Sequence, residues 1–513
     1  MQLSRIVATS SAVAATRSRT QKTALLADLL RDTEPTDVGV VASYLAGVLR
    51  QRRTGLGWRT VAEVAAPQAE DATLTAAEVD DAFAALQALA GPGSQQSRRE
   101  GWAALLARAT EPEQAWLRAM AVGEVRQGAL DALLLEAVAQ ATTIPLGTVR
   151  RAAMLTGSSV DTIEAAVAGG AAALEAVRLE VGRPVRPMLA ASASDLPDGL
   201  DQLARQGATP YAVDAKLDGI RVQVHRDGDL VRVFTRSLDD ITARVAGLVE
   251  AVRALSAERL VLDGEALLTG PDGRPRPFQE TASRSSTRAG TPEAGADLVP
   301  AFFDVLHLDG RDLLDEPAIT RWAVLDTLVP PHLRVDRLVT DDPAGAQAFA
   351  DDVLAAGHEG VVLKNPSTPY EAGRRGAGWI KVKPRHTLDL VVLAVEWGSG
   401  RRQGLLSNIH LGARDADGSP VMLGKTFKGL TDAVLAWQTE RFLELETHRE
   451  GHVVHVRPEQ VVEVAFDGVQ RSTRYPGGVA LRFARVVRYR EDKAAAEVDT
   501  IDTVRAHLGP PEK

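Results

Sequence analysis

The chain reads as a multidomain α+β protein: an all-α domain, then an α+β domain, then a β-barrel. Three observations lead there. From Met1 to about Glu180 apolar residues recur three and four apart, the spacing of a buried helix face. Between Tyr211 and Lys383, short apolar or alternating runs with the pattern of strands are separated by helical stretches. From Leu388 onward, short strand-like runs and turns follow at even spacing, which suits a small barrel. At 513 residues the chain is too long for one core. Two proline-marked breaks, Gly182 to Pro187 and Pro384 to Thr387, divide it into residues 1–182, 188–384 and 388–513.

The totals set bounds. Hydrophobic residues at 45% are ordinary for a globular chain. There is no cysteine, which excludes disulfides and cysteine–zinc sites and agrees with a reducing compartment. No apolar run reaches membrane-spanning length. Arg5, Arg17 and Arg19 interrupt the first twenty residues, so these read as a helix of a cytoplasmic protein rather than a transit peptide. The net charge of −9 weighs mildly against a polyanionic partner. Local patches decide binding, however. Arginines cluster at Arg50, Arg52 and Arg53, at Arg401 and Arg402, and from Arg482 through Arg485, Arg488 and Arg490.

In the front region Leu25, Leu29 and Leu30, then Leu130, Leu133, Leu134 and Val138, mark helix faces, and Asp161, Thr162 and Glu164 a helix start. Periodicity alone gives a bundle without activity. The next stretch, Val213 to Arg221, leads into the alternation Val222, Gln223, Val224, His225 of a half-buried strand. Lys216 lies on or beside it, between Asp214 and Asp218. A lysine becomes a nucleophile when desolvation or a neighbouring cation strips its proton. Gly219 leaves room for a ligand or a second strand, and Arg221 offers a planar fork suited to phosphate. The ordinary reading of so short a pattern is a surface ion pair and a glycine turn.

Downstream, Leu230 to Phe234 is a strand after the Asp227-Gly228 turn, ending at Arg236. Ile241 to Leu260 reads as an amphipathic helix, and Leu260 to Leu262 as a strand continuing to Gly264 and Glu265. Gly270 to Gly273 is a tight turn, and Ala282 to Asp297 a surface loop. Ala301 to Leu308 is a buried strand carrying Phe303, and helices fill roughly Asp315 to Ala356. Glu359 and Lys364 flank an apolar strand. Trp379 to Lys383 alternates, so Lys381 and Lys383 share a face. Two ammoniums on one face repel unless an anion lies between them, the clearest physical pointer to a phosphate site; the rival is an edge strand guarded against aggregation. Barrel strands are expected at Leu388–Trp397, Leu406–Gly412, Val421–Thr426, Val453–Val456, Val461–Phe466 and Val479–Val487, with a basic glycine loop at Gly398–Gly404.

Several of these pieces recur in a fixed order: Asp214-Ala215-Lys216-Leu217-Asp218-Gly219, Leu262-Asp263-Gly264-Glu265, Phe302-Phe303-Asp304-Val305, Glu359 to Lys364, and Trp379 to Pro384. Leu481 to Arg485 and Arg488 to Lys493 close the series. Together they resemble the ordered motifs of the covalent nucleotidyltransferases. The whole chain resembles an actinobacterial-type ATP-dependent DNA ligase. The resemblance implies a DNA-binding domain over 1–182, an adenylation domain over 188–384 and an OB-fold over 388–513. It implies that Lys216 is the catalytic nucleophile, with ATP held by Asp214, Lys216, Arg221, Arg236, Glu265, Phe303, Lys364, Lys381, Lys383, Arg482, Arg490 and Lys493. Glu265 and Glu359 would bind the metal, Mg2+ with Mn2+ as the alternative, and Asp218 would serve metal or ribose. Arg126, within Gly123–Ala129, would contact DNA with Arg236, Arg401 and Arg402; Arg50, Arg52 and Arg53 are further candidates. ATP is the implied co-substrate and nicked duplex DNA the partner of a monomer. Two positions depart from the family: Asp214, where many ligases carry glutamate, and Ala484, where proline is common. The rivals are an RNA ligase, a capping guanylyltransferase, an NAD-dependent ligase and a non-catalytic DNA-binding scaffold. The helical front argues against the capping enzyme, and the lack of cysteine against the usual zinc module of the NAD-dependent class.

Overall fold

A computed structural model describes the chain except residues 52, 126–130, 271–274, 277–279, 282–297, 373–377 and 509–513. Arg52, Arg126, the 282–297 loop and most of the Gly270–Gly273 turn therefore lie outside the described residues.

The front of the chain is helical from Leu3–Ala15 to Ser159–Glu175. Its helices start where side chains satisfy their free amides. Thr75 and Glu78 form a reciprocal capping box ahead of Ala76–Ala88, and Ser158 accepts from the Asp161 amide to open Ser159–Glu175. One core gathers their apolar faces, with Leu3, Ile6, Leu26, Tyr44, Phe83, Trp102 and Leu134 buried in it.

Two five-stranded sheets make the middle of the chain. The strands are β1 (Ala191–Ser192), β2 (Tyr211–Lys216), β3 (Ile220–Asp227), β4 (Leu230–Thr235), β5 (Arg259–Leu267), β6 (Val299–Leu308), β7 (Arg311–Asp312), β8 (Arg337–Thr340), β9 (Gly360–Lys364) and β10 (Trp379–Val382). Their orders are β4-β3-β5-β6-β7 and β1-β10-β9-β2-β8. Alternation sends β5 side chains two ways. Leu260 and Leu262 join a core with Leu248, Val252 and Leu325, while Val261 joins Met188, Leu306, Tyr370 and Trp379. That second cluster, to which Phe303 and Val362 also pack, joins the two sheets.

Two expectations are corrected here. The helix read over Ile241–Leu260 is a single turn at Thr242–Arg244 and a helix at Ala246–Arg253, with β5 already begun at Arg259. Val249 and Val252 keep helical spacing, but Leu260 and Leu262 pair with Arg226 and Val224 of β3. The helices read over Asp315–Ala356 are Ala318–Leu328 and Pro343–Ala355, separated by β8. Pro330 and Pro331 stop the first, and β8 is a half-buried edge strand paired to β2.

The last part is built on β11 (His386–Trp397), which pairs β12 (Leu406–Arg414) on one side and β15 (Val453–Val456) and β16 (Val461–Phe466) on the other. Around it lie β13 (Pro420–Thr426), β14 (Glu446–Glu450), β17 (Gly468–Arg471), β18 (Val479–Arg482) and β19 (Arg485–Arg490). The single strand expected over Val479–Val487 is two, broken at Phe483, whose φ of 55° lies in the left-handed region. A helix at Asp432–Glu444, not foreseen, packs Leu435 and Phe442 on the barrel.

Candidate active site

Lys216 closes β2, and across the ladder stands Gly360 of β9. The Glu359 amide donates to the Lys216 carbonyl at 3.0 Å, fixing Glu359 beside the lysine. Gly360 has φ 141°, and a Cβ there would lie 2.3 Å from the Val382 carbonyl oxygen. Only glycine lets β10 run this close. The result is a bridge: Glu359 Oε2 pairs with Lys216 Nζ, and Glu359 Oε1 with Lys383 Nζ. Lys383 also lies 3.4 Å from Asp467 Oδ2, at the end of β16.

Burial lowers the Lys216 pKa from the ordinary lysine value, opposed by Glu265 and Asp218 and aided by Arg236. Burial, with the charge of Lys216, lowers Lys383 as well. Burial pushes the Glu265 carboxyl up to about 7, although Lys216 and Arg221 pull the other way. The arrangement is that of a desolvated amine flanked by cations, with carboxylates in reach.

Beneath the lysine lies an aromatic and ionic layer. Phe303 and Trp379 meet edge to face at 5.7 Å, and Lys364 Nζ lies 4.5 and 4.4 Å from their ring centres. Lys364 pairs with Asp214 at 2.6 Å, and Arg337 of β8 holds both Asp214 oxygens at 2.6 and 2.7 Å. Burial works to raise the Asp214 carboxyl, but Arg337 and Lys364 overrule it and hold it low. Arg221 holds Asp263 through two bonds of 3.1 and 2.7 Å and donates to the Met188 carbonyl and the Tyr370 hydroxyl. Its fork, read from sequence as a phosphate ligand, is engaged within the protein. Gly219 has its reason in β5: a Cβ would meet the Ala266 carbonyl oxygen at 2.5 Å.

Comparison with known proteins gives the family. A curated "Probable DNA ligase" of Beutenbergia cavernae is 62% identical over 99% of this chain and all of that protein. Another from Streptomyces griseus is 58% identical over 98% of this chain and 99% of that protein. Residues 187–383 match the model of the ATP dependent DNA ligase domain, 402–493 that of the ATP dependent DNA ligase C terminal region, and 59–139 that of the DNA ligase N terminus. The chain belongs to the ATP-dependent DNA ligases. A solved structure named "Pmar-Lig_Pre." matches 95% of this ligase and 99% of its own chain at TM-score 0.61 and 17% identity, a likeness of fold.

The ligase's other sequence-derived residues are spread over the fold. Arg236 is exposed at the turn after β4, near enough to act on Lys216, and Lys381 lies on β10 opposite Val362, two residues before Lys383, which follows the strand's end. Arg482 reaches Asp218, two residues from Lys216, at 2.8 Å from the end of β18. The structure does not bring Arg490 and Lys493 to Lys216: both pair with Asp389, at 3.0 and 2.6 Å. They lie at the far end of β19 from Arg485, which approaches Asp467. Arg402 donates to the Phe427 carbonyl at 2.9 Å, and Arg401 sits in the same turn, Gly400–Arg402. In the helical part Arg53 is exposed and Arg50 pairs with Asp80. Sequence reasoning missed Arg337 and Asp467. Arg337 hid in a strand too short to show a period, and Asp467 is one carboxylate after a hydrophobic run.

Proposed function

We propose that this ligase seals nicks in duplex DNA through Lys216. The unprotonated amine attacks the α-phosphorus of ATP, a phosphoramidate bond forms and pyrophosphate leaves. A 5′-phosphate oxygen at the nick then takes the AMP and frees the amine. Finally the adjacent 3′-hydroxyl attacks the activated phosphate and AMP departs. Splitting one condensation into covalent steps is what the lysine contributes. The observation that carries this reading is the desolvated Lys216 sharing Glu359 with Lys383. An incoming phosphate supplies the negative charge that Glu359 now gives both lysines, and Lys381 adds a cation on the same face. Phe303 offers a flat face for the base, Arg236 a cation for the 5′-phosphate, and Arg401, Arg402 and Arg126 contacts along the duplex backbone. We assign the helical, adenylation and barrel domains to residues 1–182, 188–384 and 388–513, acting as a monomer.

The residues fit a divalent cation. Glu265 is a buried carboxyl pushed up to about 7, a group that a cation would strip of its proton, and Glu359 lies on the neighbouring sheet. Mg2+ held there would neutralise triphosphate charge.

Lys216→Ala separates the steps. It should fail on a 5′-phosphate nick yet seal a nick that already carries AMP. Failure on both, in a folded variant, would remove the division of labour. Wild-type sealing of nicked duplex RNA in preference to DNA would favour the RNA ligase reading instead.

A further inference from the structure

The hairpin β14–β15 on the barrel edge carries a cluster that the sealing chemistry does not use. His448 pairs directly with His455 across the ladder, and Glu450 stands two residues after His448, on the same face. The imidazoles lie parallel, 4.3 Å apart. His448 Nε2 is 3.9 Å from one Glu450 oxygen, and His455 Nε2 is 3.8 Å from the other. Those gaps exceed hydrogen-bond length. One nitrogen from each ring and a carboxylate oxygen lie within 4.8 Å of one another.

The hydrogen bonds around His448 leave the right nitrogen bare. The Thr447 hydroxyl lies 3.2 Å from the His455 carbonyl and 3.2 Å from His448 Nδ1. A hydroxyl has one proton, and the carbonyl can only accept. Thr447 therefore donates to the carbonyl and accepts from His448 Nδ1–H, which leaves the Nε2 lone pair facing Glu450. A nearby second set is already spent. Glu396 accepts from Lys425, His410 and Asn408, which outweigh its burial and hold its carboxyl at about 2. Glu450 instead faces the two imidazoles, beyond hydrogen-bond length from each.

We infer that His448, His455 and Glu450 form a binding site for a divalent transition metal of the zinc class. Imidazole and carboxylate are ligands of that class, and the cysteine-free chain can supply no thiolate donor. Two ligand atoms on a tetrahedral zinc stand about 3.3 Å apart, so the cluster, whose ligand atoms lie within 4.8 Å of one another, closes by up to about 1.5 Å around the ion, with the stacked rings turning to converge on it. A fourth position stays open to water. The metal clips β14, the outermost strand on this side of the sheet, to β15.

The test is calorimetric titration of ZnCl2 into metal-free, tag-free full-length protein, beside His448→Ala, His455→Ala and Glu450→Gln. Wild type should take one Zn2+ per chain at this site, and each variant should bind it at least about tenfold more weakly. Circular dichroism and Mg2+-dependent self-adenylylation should match wild type in every variant, since none of the three touches the active site. No zinc binding by wild type, or binding that survives the histidine substitutions, overturns the proposal. The second result would place the ion elsewhere, at the acidic groups around Lys216 for instance.

Discussion

At the residue scale, the site turns on one carboxylate between two ammoniums. Lys381 and Lys383, on one face by the alternation of the sequence, call for an anion. The fold supplies one of its own, Glu359, and uses it to couple Lys383 to Lys216. That role was legible only in part, because the contact depends on how closely Gly360 lets β10 approach. Arg337 was not legible at all, although it fixes the Asp214 carboxylate. Glu265 gives a test with a defined sign. Its folded pKa, about 7, lies above the ordinary 4.5, so the stability it contributes is present below pH 4.5 and lost as pH rises through 7. In metal-free protein, Glu265→Gln should therefore raise Tm at pH 8 and leave it unchanged at pH 4. An equal Tm at pH 8 would mean that the carboxylate is not strained by its burial.

At the element scale, the strands that carry the motifs were legible where alternation and turn residues agree, as in β2 to β4. Signals failed where elements are short or change period. The Ile241–Leu260 stretch joins a helix to a strand with no proline or glycine between, and β8 is four residues long. Behind the site, Arg321 and Asp304 form a fully buried bidentate ion pair, 2.8 Å in each arm, tying helix Ala318–Leu328 to β6 next to Phe303. Removing one partner strands the other charge. Asp304→Ala should cost roughly 3–5 kcal/mol of stability in chemical denaturation; a loss below 1 kcal/mol would show that water reaches Arg321. The end of β19 tests the barrel's part in the first step. If Lys493 leaves Asp389 to orient pyrophosphate, Lys493→Ala loses self-adenylylation yet still seals pre-adenylylated DNA. Normal self-adenylylation in that variant would sink the idea.

For the whole molecule, fold class was the most legible property, since it rests on long stretches of consistent periodicity. What sequence could not give is how the barrel sits. Arg482 on Asp218 and Asp467 near Lys383 place it against the Lys216 site. In the proposed sealing reaction DNA has to reach Lys216 past those contacts, which would require the barrel to turn away. The lack of native cysteine makes this measurable. Dyes on cysteines introduced at the exposed positions Arg205 and Ala416 should change transfer efficiency when nicked duplex is added. An unchanged signal at saturation would show that the barrel stays put.

The central claim is that Lys216 is the covalent nucleophile, and one gel tests it most directly. Wild type and Lys216→Ala, freed of bound AMP with pyrophosphate and then of the pyrophosphate itself, are incubated with Mg2+ and α-labelled ATP and run under denaturing conditions. The account predicts label on the wild type alone. Label on both proteins, or on neither, would contradict it.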